Sequence, residues 1–363
     1  MRLHLAERDP QHHAWAKRGV EDKAMKLRIL LSYHYYKDTD LDALFSKYFT
    51  EPYPSVFADS GAFSAFTQGV PIALDEYATW IKRYAHLFDV YGNLDVIGDA
   101  EGTLTNQKRL EDAGLTPLPV FHTGEDWAYL ERYIDQYPYM ALGGMVPYMR
   151  QTNVIMPWII RCFKMAQGRT VFHGFGATSW QVITSMPWYS VDSSSWGQGF
   201  RFGTVPVFDS VKGGFLKLDL GSSIWFKHGR LIRSLGFDPQ DFADRDRNDR
   251  AKICAISALS YMKAEQWLRE KHGPVTIPDR DAPVDHRAHL VTAGGIGSNH
   301  SIPTIVDSLA EYGAGVRLHL SDTSNGINYR DADTGIKCHL VDTQNLGDIR
   351  RVVGEINEHH RDC

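Results

Sequence analysis

Three carboxylates stand where short apolar runs of this sequence end. Asp59, Asp99 and Asp192 each follow such a run, and a glycine or serine lies beside each of them. Loops that leave the carboxyl ends of parallel strands line the ligand site of α/β proteins, so acids at these positions point into a site. Two carboxylates ~5 Å apart can cleave a glycosidic bond with retention, one attacking the anomeric carbon and the other protonating the leaving group. A third can accept hydrogen bonds from the N1 and N2 donors of guanine. Each acid alone could instead cap a helix or hold a turn.

Alternating strand and helix patterns surround these acids and must position them. Between residues 27 and 200, apolar runs typical of strands alternate with stretches whose apolar side chains recur at helical spacing. Six or seven such units in series favour a parallel sheet that closes into a (β/α)8 TIM-type barrel, with an open doubly wound sheet as the alternative. In a barrel the three acids lie on one rim, within ~10 Å of each other. The predicted strands cover residues 27–33, 56–59, 94–97, 118–121, 139–142, 170–172 and 188–191.

Four segments make up the predicted domain organisation. Residues 1–24 are polar and rich in His and Arg without a clean period, which predicts a surface arm. The barrel spans residues 25–275 and ends with a helix over 250–272. A Pro- and Asp-rich linker over 276–283 precedes a small α/β extension over 284–363, whose role the sequence does not indicate. The glycine-rich segment 294–298 lacks the lysine of a phosphate-binding loop and is interpreted as a turn.

Composition indicates an ordinary globular protein. The hydrophobic content is 43% and the formal net charge is −5, without an apolar run long enough to span a membrane. The four cysteines are far apart in sequence, so neither a disulfide framework nor a metal site is predicted. We therefore expect a cytoplasmic protein with reduced thiols and no membrane partner. The chemistry of two carboxylates needs no cofactor, so we expect none.

One basic segment could follow a nucleic acid backbone. Between residues 201 and 233 the sequence contains six lysines and arginines and two acids. This excess predicts either a surface that binds backbone phosphates or an ordinary solvated charged surface. The cations are Arg201, Lys212, Lys217, Lys227, Arg230 and Arg233.

Five short motifs in order give the chain a family resemblance. It resembles the tRNA-guanine transglycosylase superfamily, whose members exchange a guanine base for a 7-deazaguanine such as queuine or preQ0. The resemblance covers roughly residues 27–200. The motifs are Asp59-Ser60-Gly61-Ala62-Phe63, Gly98-Asp99-Ala100-Glu101, Ala141-Leu142-Gly143-Gly144-Met145, His173-Gly174-Phe175-Gly176 and Ser190-Val191-Asp192-Ser193.

The resemblance implies a role for each matched position. Asp192 matches the nucleophile, Asp59 the general acid/base and Asp99 the acid that reads the guanine edge. Phe63 falls where an aromatic ring stacks on the base, and His122 or Thr123 near a base-contacting glutamine. His173 is interpreted as a rim histidine satisfied by the backbone. The remaining positions of the implied substrate pocket are Ser60, Gly61, Gly143, Gly144 and Gly174.

The departures from the family indicate which branch the chain resembles. The tRNA enzymes carry a CxCxxC motif with a histidine as a zinc site, and this sequence has no such spacing. It is more similar to the phage-type enzymes that insert 7-deazaguanines into DNA as protection against restriction. The resemblance therefore implies a DNA-guanine transglycosylase whose partners are DNA, free guanine and a preQ0-like base. The alternatives are a tRNA-guanine transglycosylase, a catalytically silent nucleic-acid-binding subunit of the same fold, and an unrelated barrel hydrolase.

Overall fold

The computed structural model describes residues 1–21 and 25–279, and beyond them residues 290–291, 316–322, 331–336 and 338–342. The chain divides into two compact units, Met1–Arg280 and Asp281–Cys363. The division falls inside the predicted linker 276–283.

Eight parallel strands form the centre of the first unit. The strands pair in the order β4-β3-β2-β1-β8-β7-β6-β5, so the last strand pairs with the first. A parallel bridge between Gly92 and Leu118 joins the two outer strands and closes the barrel. The prediction of a (β/α)8 barrel is confirmed. The strands are β1 (Leu3–Ala6), β2 (Arg28–Ser32), β3 (Ser55–Asp59), β4 (Val90–Tyr91), β5 (Val120–His122), β6 (Tyr139–Gly143), β7 (Val171–Gly174) and β8 (Ser190–Ser193).

The strands alternate with helices on the outside of the barrel. After β8 the chain adds an antiparallel hairpin of β9 (Thr204–Asp209) and β10 (Gly214–Asp219) before the last helices. The helices are α1 (Pro10–Glu21), α2 (Tyr33–Tyr36), α3 (Leu41–Tyr48), α4 (Ala62–Gln68), α5 (Leu74–Tyr84), α6 (Ala100–Asp112), α7 (Trp127–Gln136), α8 (Thr152–Ala166), α9 (Trp180–Ser185), α10 (Gln198–Phe202), α11 (Ile224–Lys227), α12 (Gly229–Ser234), α13 (Gln240–Ala243) and α14 (Arg250–His272). Of the helices described, none is both long and apolar enough to cross a membrane.

The N-terminal segment belongs to the barrel, and the prediction of a surface arm over residues 1–24 was wrong. β1 lies between β2 and β8, with Leu5 opposite both Ile29 and Ser193. The strand is held by the buried Glu265 of α14, whose Oε2 accepts a hydrogen bond from the Leu3 amide at 2.8 Å. α1 packs against α14, and Gly19 permits this contact because a Cβ there would lie 2.5 Å from the Cβ of Ala255.

A second correction concerns the third predicted strand. The strand at this position is β4, Val90–Tyr91, and residues 94–97 form the loop that follows it. This loop is anchored to α6, because Thr103 accepts a hydrogen bond from the Val96 amide and Asn106 donates one to the carbonyl of Leu94. Its apolar residues Leu94, Val96 and Ile97 form the run that predicted a strand here.

Two apolar cores follow from the alternation of side chains along the strands. Residues such as Leu3, Ile29 and Val56 face outward and pack under the helices. The inward residues form a smaller apolar cluster within the barrel. Polar side chains fill the barrel interior between this cluster and the carboxyl ends of the strands. The inner cluster consists of Leu30, Phe57, Leu118, Val120, Tyr139 and Ala141.

In the second unit, the described residues form a mixed sheet in the order β11-β14-β12-β13. The strands are β11 (Leu290–Val291), β12 (Val316–Asp322), β13 (Asp331–Ile336) and β14 (Cys338–Asp342). The predicted turn 294–298 lies outside the described residues.

Candidate active site

A cavity of about 620 Å³ opens at the carboxyl ends of the barrel strands. Its volume lies within the range of ~300–1,000 Å³ that is usual for small-molecule sites. All eight strand ends, or the loops that follow them, contribute to the wall. Among the lining residues are Glu7, Arg8, Ser32, Tyr35, Asp59, Gly61, Phe63, Asp95, His122, Thr123, Gly143, Gly144, Tyr148, Gly176, Asp192 and Arg201.

Asp59 ends β3 and is a carboxyl group suited to carry a proton near neutral pH. Burial, followed by the negative charges of Asp192 and Asp95, raises its pKa from 3.8 to about 7. The Gly61 amide, 3.1 Å from Oδ2, and the nearby Ser32 hydroxyl act against this rise. Gly61 has a φ of +74°, and a Cβ there would lie 2.5 Å from the Cβ of His34, so this turn requires glycine.

Asp192 lies at the end of β8 with one carboxylate oxygen held and the other available. Oδ1 accepts a hydrogen bond from the Gly176 amide at 2.8 Å and lies 3.3 Å from Nε2 of His173. Within the described part of the chain Oδ2 receives no hydrogen bond. The residue lines the cavity, so Oδ2 is the oxygen that a ligand can meet.

Asp95 is a further acid of the cavity, and the expectation that Asp99 faces the site was wrong. Asp99 is exposed and caps α6, where its Oδ1 accepts a hydrogen bond from the Gly102 amide at 2.9 Å. Asp95 lines the cavity, and its Oδ2 lies 3.1 Å from Nε2 of His122. Its Oδ1 is buried and lacks a hydrogen-bond partner among the described residues. An unsatisfied buried carboxylate oxygen is costly, which makes Asp95 a candidate acceptor for a ligand donor.

His122 is a cation set among acids. Its Nε2 faces Asp95, and its Nδ1 lies 3.0 Å from Oε1 of Glu125. Burial opposes the charge, but the charges and hydrogen bonds of Asp95 and Glu125 together outweigh it and raise the pKa of His122 to about 10. Both ring nitrogens are therefore donors. Gly143 allows the ring to pack against the strand, since a Cβ there would lie 2.6 Å from Cδ2 of His122.

Apart from Asp99, the predicted site residues fall into three groups by their position relative to the cavity. Asp59, Gly61, Phe63, His122, Thr123, Gly143, Gly144, Asp192 and Arg201 line the cavity. Ser60, His173 and Gly174 are buried beside it and do not line it. Lys212, Lys217, Lys227, Arg230 and Arg233 are exposed on the β9–β10 hairpin, α11 and α12, outside the cavity lining.

His173 differs from the expected rim histidine satisfied by the backbone. It is fully buried inside the barrel, and its two ring nitrogens meet the side chains of Ser190 and Asp192. Burial lowers its pKa, although the hydrogen bond and the charge of Asp192 act in the opposite direction.

The sequence patterns did not point to several residues of this site. Glu7 and Arg8 follow β1, within the segment that was predicted to be an arm. Tyr35 and Tyr148 join the predicted Phe63 as exposed aromatic rings at the mouth. The Arg8 guanidinium lies 5.2 Å from the centre of the Tyr35 ring, so the mouth combines cations with rings.

No cluster of three or more metal-ligating side chains occurs in the described residues. Cys162 and Cys254 are buried free thiols, and burial raises the pKa of each. Cys338 lies in β14 of the second unit, and Cys363 lies outside the described residues.

Comparisons with known proteins do not identify a family. No family model matches the chain, and no curated protein matches it. A solved structure described as a putative fructose-1,6-biphosphate aldolase from Coccidioides immitis is similar at 12% identity, with a TM-score of 0.44. The likeness covers 74% of this chain and 91% of that chain. The strand pairing of this chain itself defines the barrel.

Proposed function

We propose that the protein is a DNA-guanine transglycosylase that exchanges guanine for a 7-deazaguanine base through a covalent glycosyl-aspartate. The observation that carries this proposal is the pair Asp59 and Asp192, which line one cavity from β3 and β8. One of the two carries a proton near neutrality, and the other presents a free carboxylate oxygen. A nucleophile and a general acid in one pocket are what a retaining cleavage of a glycosidic bond requires.

In the proposed exchange, the chemistry balances with these two side chains. Oδ2 of Asp192 attacks C1′ of the nucleotide, the bond from C1′ to the base breaks, and Asp59 gives its proton to the departing guanine. The incoming base then attacks C1′, its proton passes to Asp59, and the bond between C1′ and Asp192 breaks. Both carboxyl groups return to their starting state. The sum of the two displacements is a base exchange that needs no oxidant, reductant or nucleoside triphosphate.

Asp95 supports guanine as the base. A guanine edge presents two adjacent donors, N1 and N2, and Oδ1 of Asp95 is a buried acceptor with no partner among the described residues. His122 holds the other oxygen of this carboxylate, and Glu125 in turn holds His122 through Nδ1 of its ring. Asp95 therefore takes the recognition role that the resemblance had placed on Asp99.

The mouth of the cavity supports a nucleic acid substrate. A nucleotide must leave the base stack before a side chain can reach its C1′ atom. Arg8 and Arg201 can meet the phosphates on either side of the extruded nucleotide, and Tyr35, Phe63 and Tyr148 offer faces for neighbouring bases. The choice of DNA over tRNA as the substrate rests on the sequence, which lacks the zinc motif of the tRNA enzymes.

A labelling experiment tests the proposal. The full chain is incubated separately with duplex DNA, single-stranded DNA and tRNA, each with labelled guanine or labelled preQ0. We expect label to enter DNA, and we expect Asp192→Ala to lose all incorporation. Asp38→Asn, which removes an exposed carboxylate outside the cavity lining, is the matched control and should retain activity.

The other outcomes identify the competing functions. Label in tRNA alone would make the protein a tRNA enzyme, and release of guanine without uptake would make it a hydrolase. Binding to nucleic acid with neither uptake nor release would refute catalysis and indicate a silent subunit.

A further inference from the structure

A chain of hydrogen bonds runs inside the barrel from the amino ends of the strands to Asp192. The Tyr139 hydroxyl lies 2.7 Å from Oγ of Ser190, and this Oγ lies 2.7 Å from Nδ1 of His173. Nε2 of His173 lies 3.3 Å from Oδ1 of Asp192. Tyr139 and Ser190 begin β6 and β8, whereas His173 and Asp192 lie two residues further along β7 and β8. All four side chains are buried.

The chemistry of the four groups fixes the direction of every donor. An ionised carboxylate only accepts hydrogen bonds, so the proton that meets Asp192 must be on Nε2 of His173. A neutral imidazole has one N–H, so Nδ1 is an acceptor and the Ser190 hydroxyl donates to it. The Ser190 oxygen then accepts from Tyr139. Burial raises the pKa of the Tyr139 phenol, which keeps this first donor protonated.

Packing holds the imidazole ring in place. Phe57 lies against it with ring centres 4.4 Å apart, and Phe175 meets it edge-on at 4.6 Å. His173 and Ser190 also face each other in the register of β7 and β8. A ring confined in this way presents Nε2 to one oxygen of Asp192 only.

We propose that His173 is a positioning residue for the proposed base exchange, on which this inference rests. Held as the Nε2–H tautomer by the hydroxyls of Ser190 and Tyr139, it clamps Oδ1 of Asp192 together with the Gly176 amide and directs Oδ2 at C1′. A neutral donor orients the carboxylate without cancelling its charge. An imidazolium would pair with the carboxylate and withdraw electron density from the oxygen that must attack.

The tautomer itself can be measured without any substrate. Long-range ¹H–¹⁵N correlation spectra of the full chain labelled with ¹⁵N-histidine distinguish the two neutral tautomers from imidazolium. The signals missing from His173→Gln identify His173. We expect the Nε2–H tautomer in the wild type, and in Ser190→Ala a displaced Nδ1 signal with Nε2 still protonated. An Nδ1–H tautomer or an imidazolium at neutral pH would overturn the clamp.

Kinetics test the consequence for chemistry. In the polymer that the wild type labels, His173→Leu should lower kcat roughly 10- to 100-fold with KM unchanged, the usual effect of removing a hydrogen bond to a charged group. His173→Gln, whose amide can donate to Oδ1, should recover part of this loss. Ser190→Ala should lower kcat about 2- to 10-fold, as expected for a bond between neutral groups.

The two proposals fail in different ways. A wild type that labels no polymer contradicts the base exchange, while the spectra still test the hydrogen-bond chain. A wild type that exchanges bases, with His173→Leu showing unchanged kcat, contradicts the clamp alone. A rise in KM without a change in kcat would also contradict it, because it would indicate a role in binding and not in attack.

Discussion

Replacing Asp59 by Asn should stabilise the protein, and more so at alkaline than at acidic pH. Asn is close in size to a protonated Asp, and its carbonyl oxygen can still accept from the Gly61 amide, which lies 3.1 Å from Oδ2 in the wild type. It differs from Asp in that it cannot ionise. The cost of placing a charge in this cavity, beside Asp95 and Asp192, is therefore removed.

The size and sign of the effect follow from the pKa of Asp59. The folded protein keeps this proton up to about pH 7, whereas an ordinary Asp releases it near pH 3.8. Between these values the folded state binds one more proton than the unfolded state, so the free energy of unfolding falls by ~1.4 kcal/mol per pH unit as pH rises. The whole interval corresponds to about 2–4 kcal/mol once partial contact with solvent in the cavity is allowed for. Asp59→Asn avoids this loss.

Denaturant unfolding at about pH 4.5 and about pH 8 measures this difference. All nine tryptophans lie before residue 281, so tryptophan fluorescence follows the barrel unit alone. We expect the advantage of Asp59→Asn over the wild type to grow by about 1.5–3 kcal/mol between the two conditions, which cover most of the interval. For the control Asp38→Asn, at an exposed site, the difference in unfolding free energy from the wild type should not increase with pH. An advantage that does not change with pH would refute the assignment of a raised pKa to Asp59.

Asp192→Asn isolates the contribution of the Asp192 charge to the raised pKa of Asp59. Removing the neighbouring charge should lower the pKa of Asp59 and leave the burial contribution in place. The pH-dependent loss of stability should therefore become smaller in this variant without disappearing. A loss equal to that of the wild type would mean that the two carboxyl groups do not interact.

Three further predictions concern recognition. Asp95→Asn should lower kcat/KM for guanine ~10- to 100-fold in the labelling assay, whereas Asp99→Asn, a substitution at an exposed helix cap, should leave it unchanged. Arg8→Gln and Arg201→Gln should each reduce by roughly one the slope of log binding constant against log salt, measured by fluorescence anisotropy with a labelled oligonucleotide. Phe63→Ala should weaken binding of single-stranded DNA by ~1–3 kcal/mol in the same assay if its exposed ring stacks on a base.

Asp59 and Asp192 could be found in the sequence because the signal is local. Each lies in the last two residues of a strand, and the repeated strand and helix pattern predicts that such ends meet on one rim. Neither their environments nor the raised pKa of Asp59 could be predicted, since the pKa depends first on burial in the folded barrel and then on the charges of Asp192 and Asp95.

The sequence did not indicate β1 or the position of Asp95, for a different reason. β1 has four residues and only two outward leucines, and its pairing is set by β2 and β8, which are distant in sequence. β4 has two residues, so the apolar loop after it gave the stronger strand pattern and placed Asp95 inside a strand. In both cases tertiary contacts, from Glu265 and from α6, decide a structure that the local pattern does not specify.

The charge coupling between Asp59 and Asp192 gives the proposed exchange its order. While Asp192 is a carboxylate, its charge helps to hold the proton on Asp59. As Oδ2 bonds to C1′, that charge disappears, and Asp59 becomes more acidic at the moment when it must protonate the departing base. In the second displacement the bond to Asp192 breaks and the charge returns, so the proton affinity of Asp59 rises as the incoming base releases its proton. One electrostatic interaction thus favours both proton transfers, in opposite directions, without any movement of the barrel.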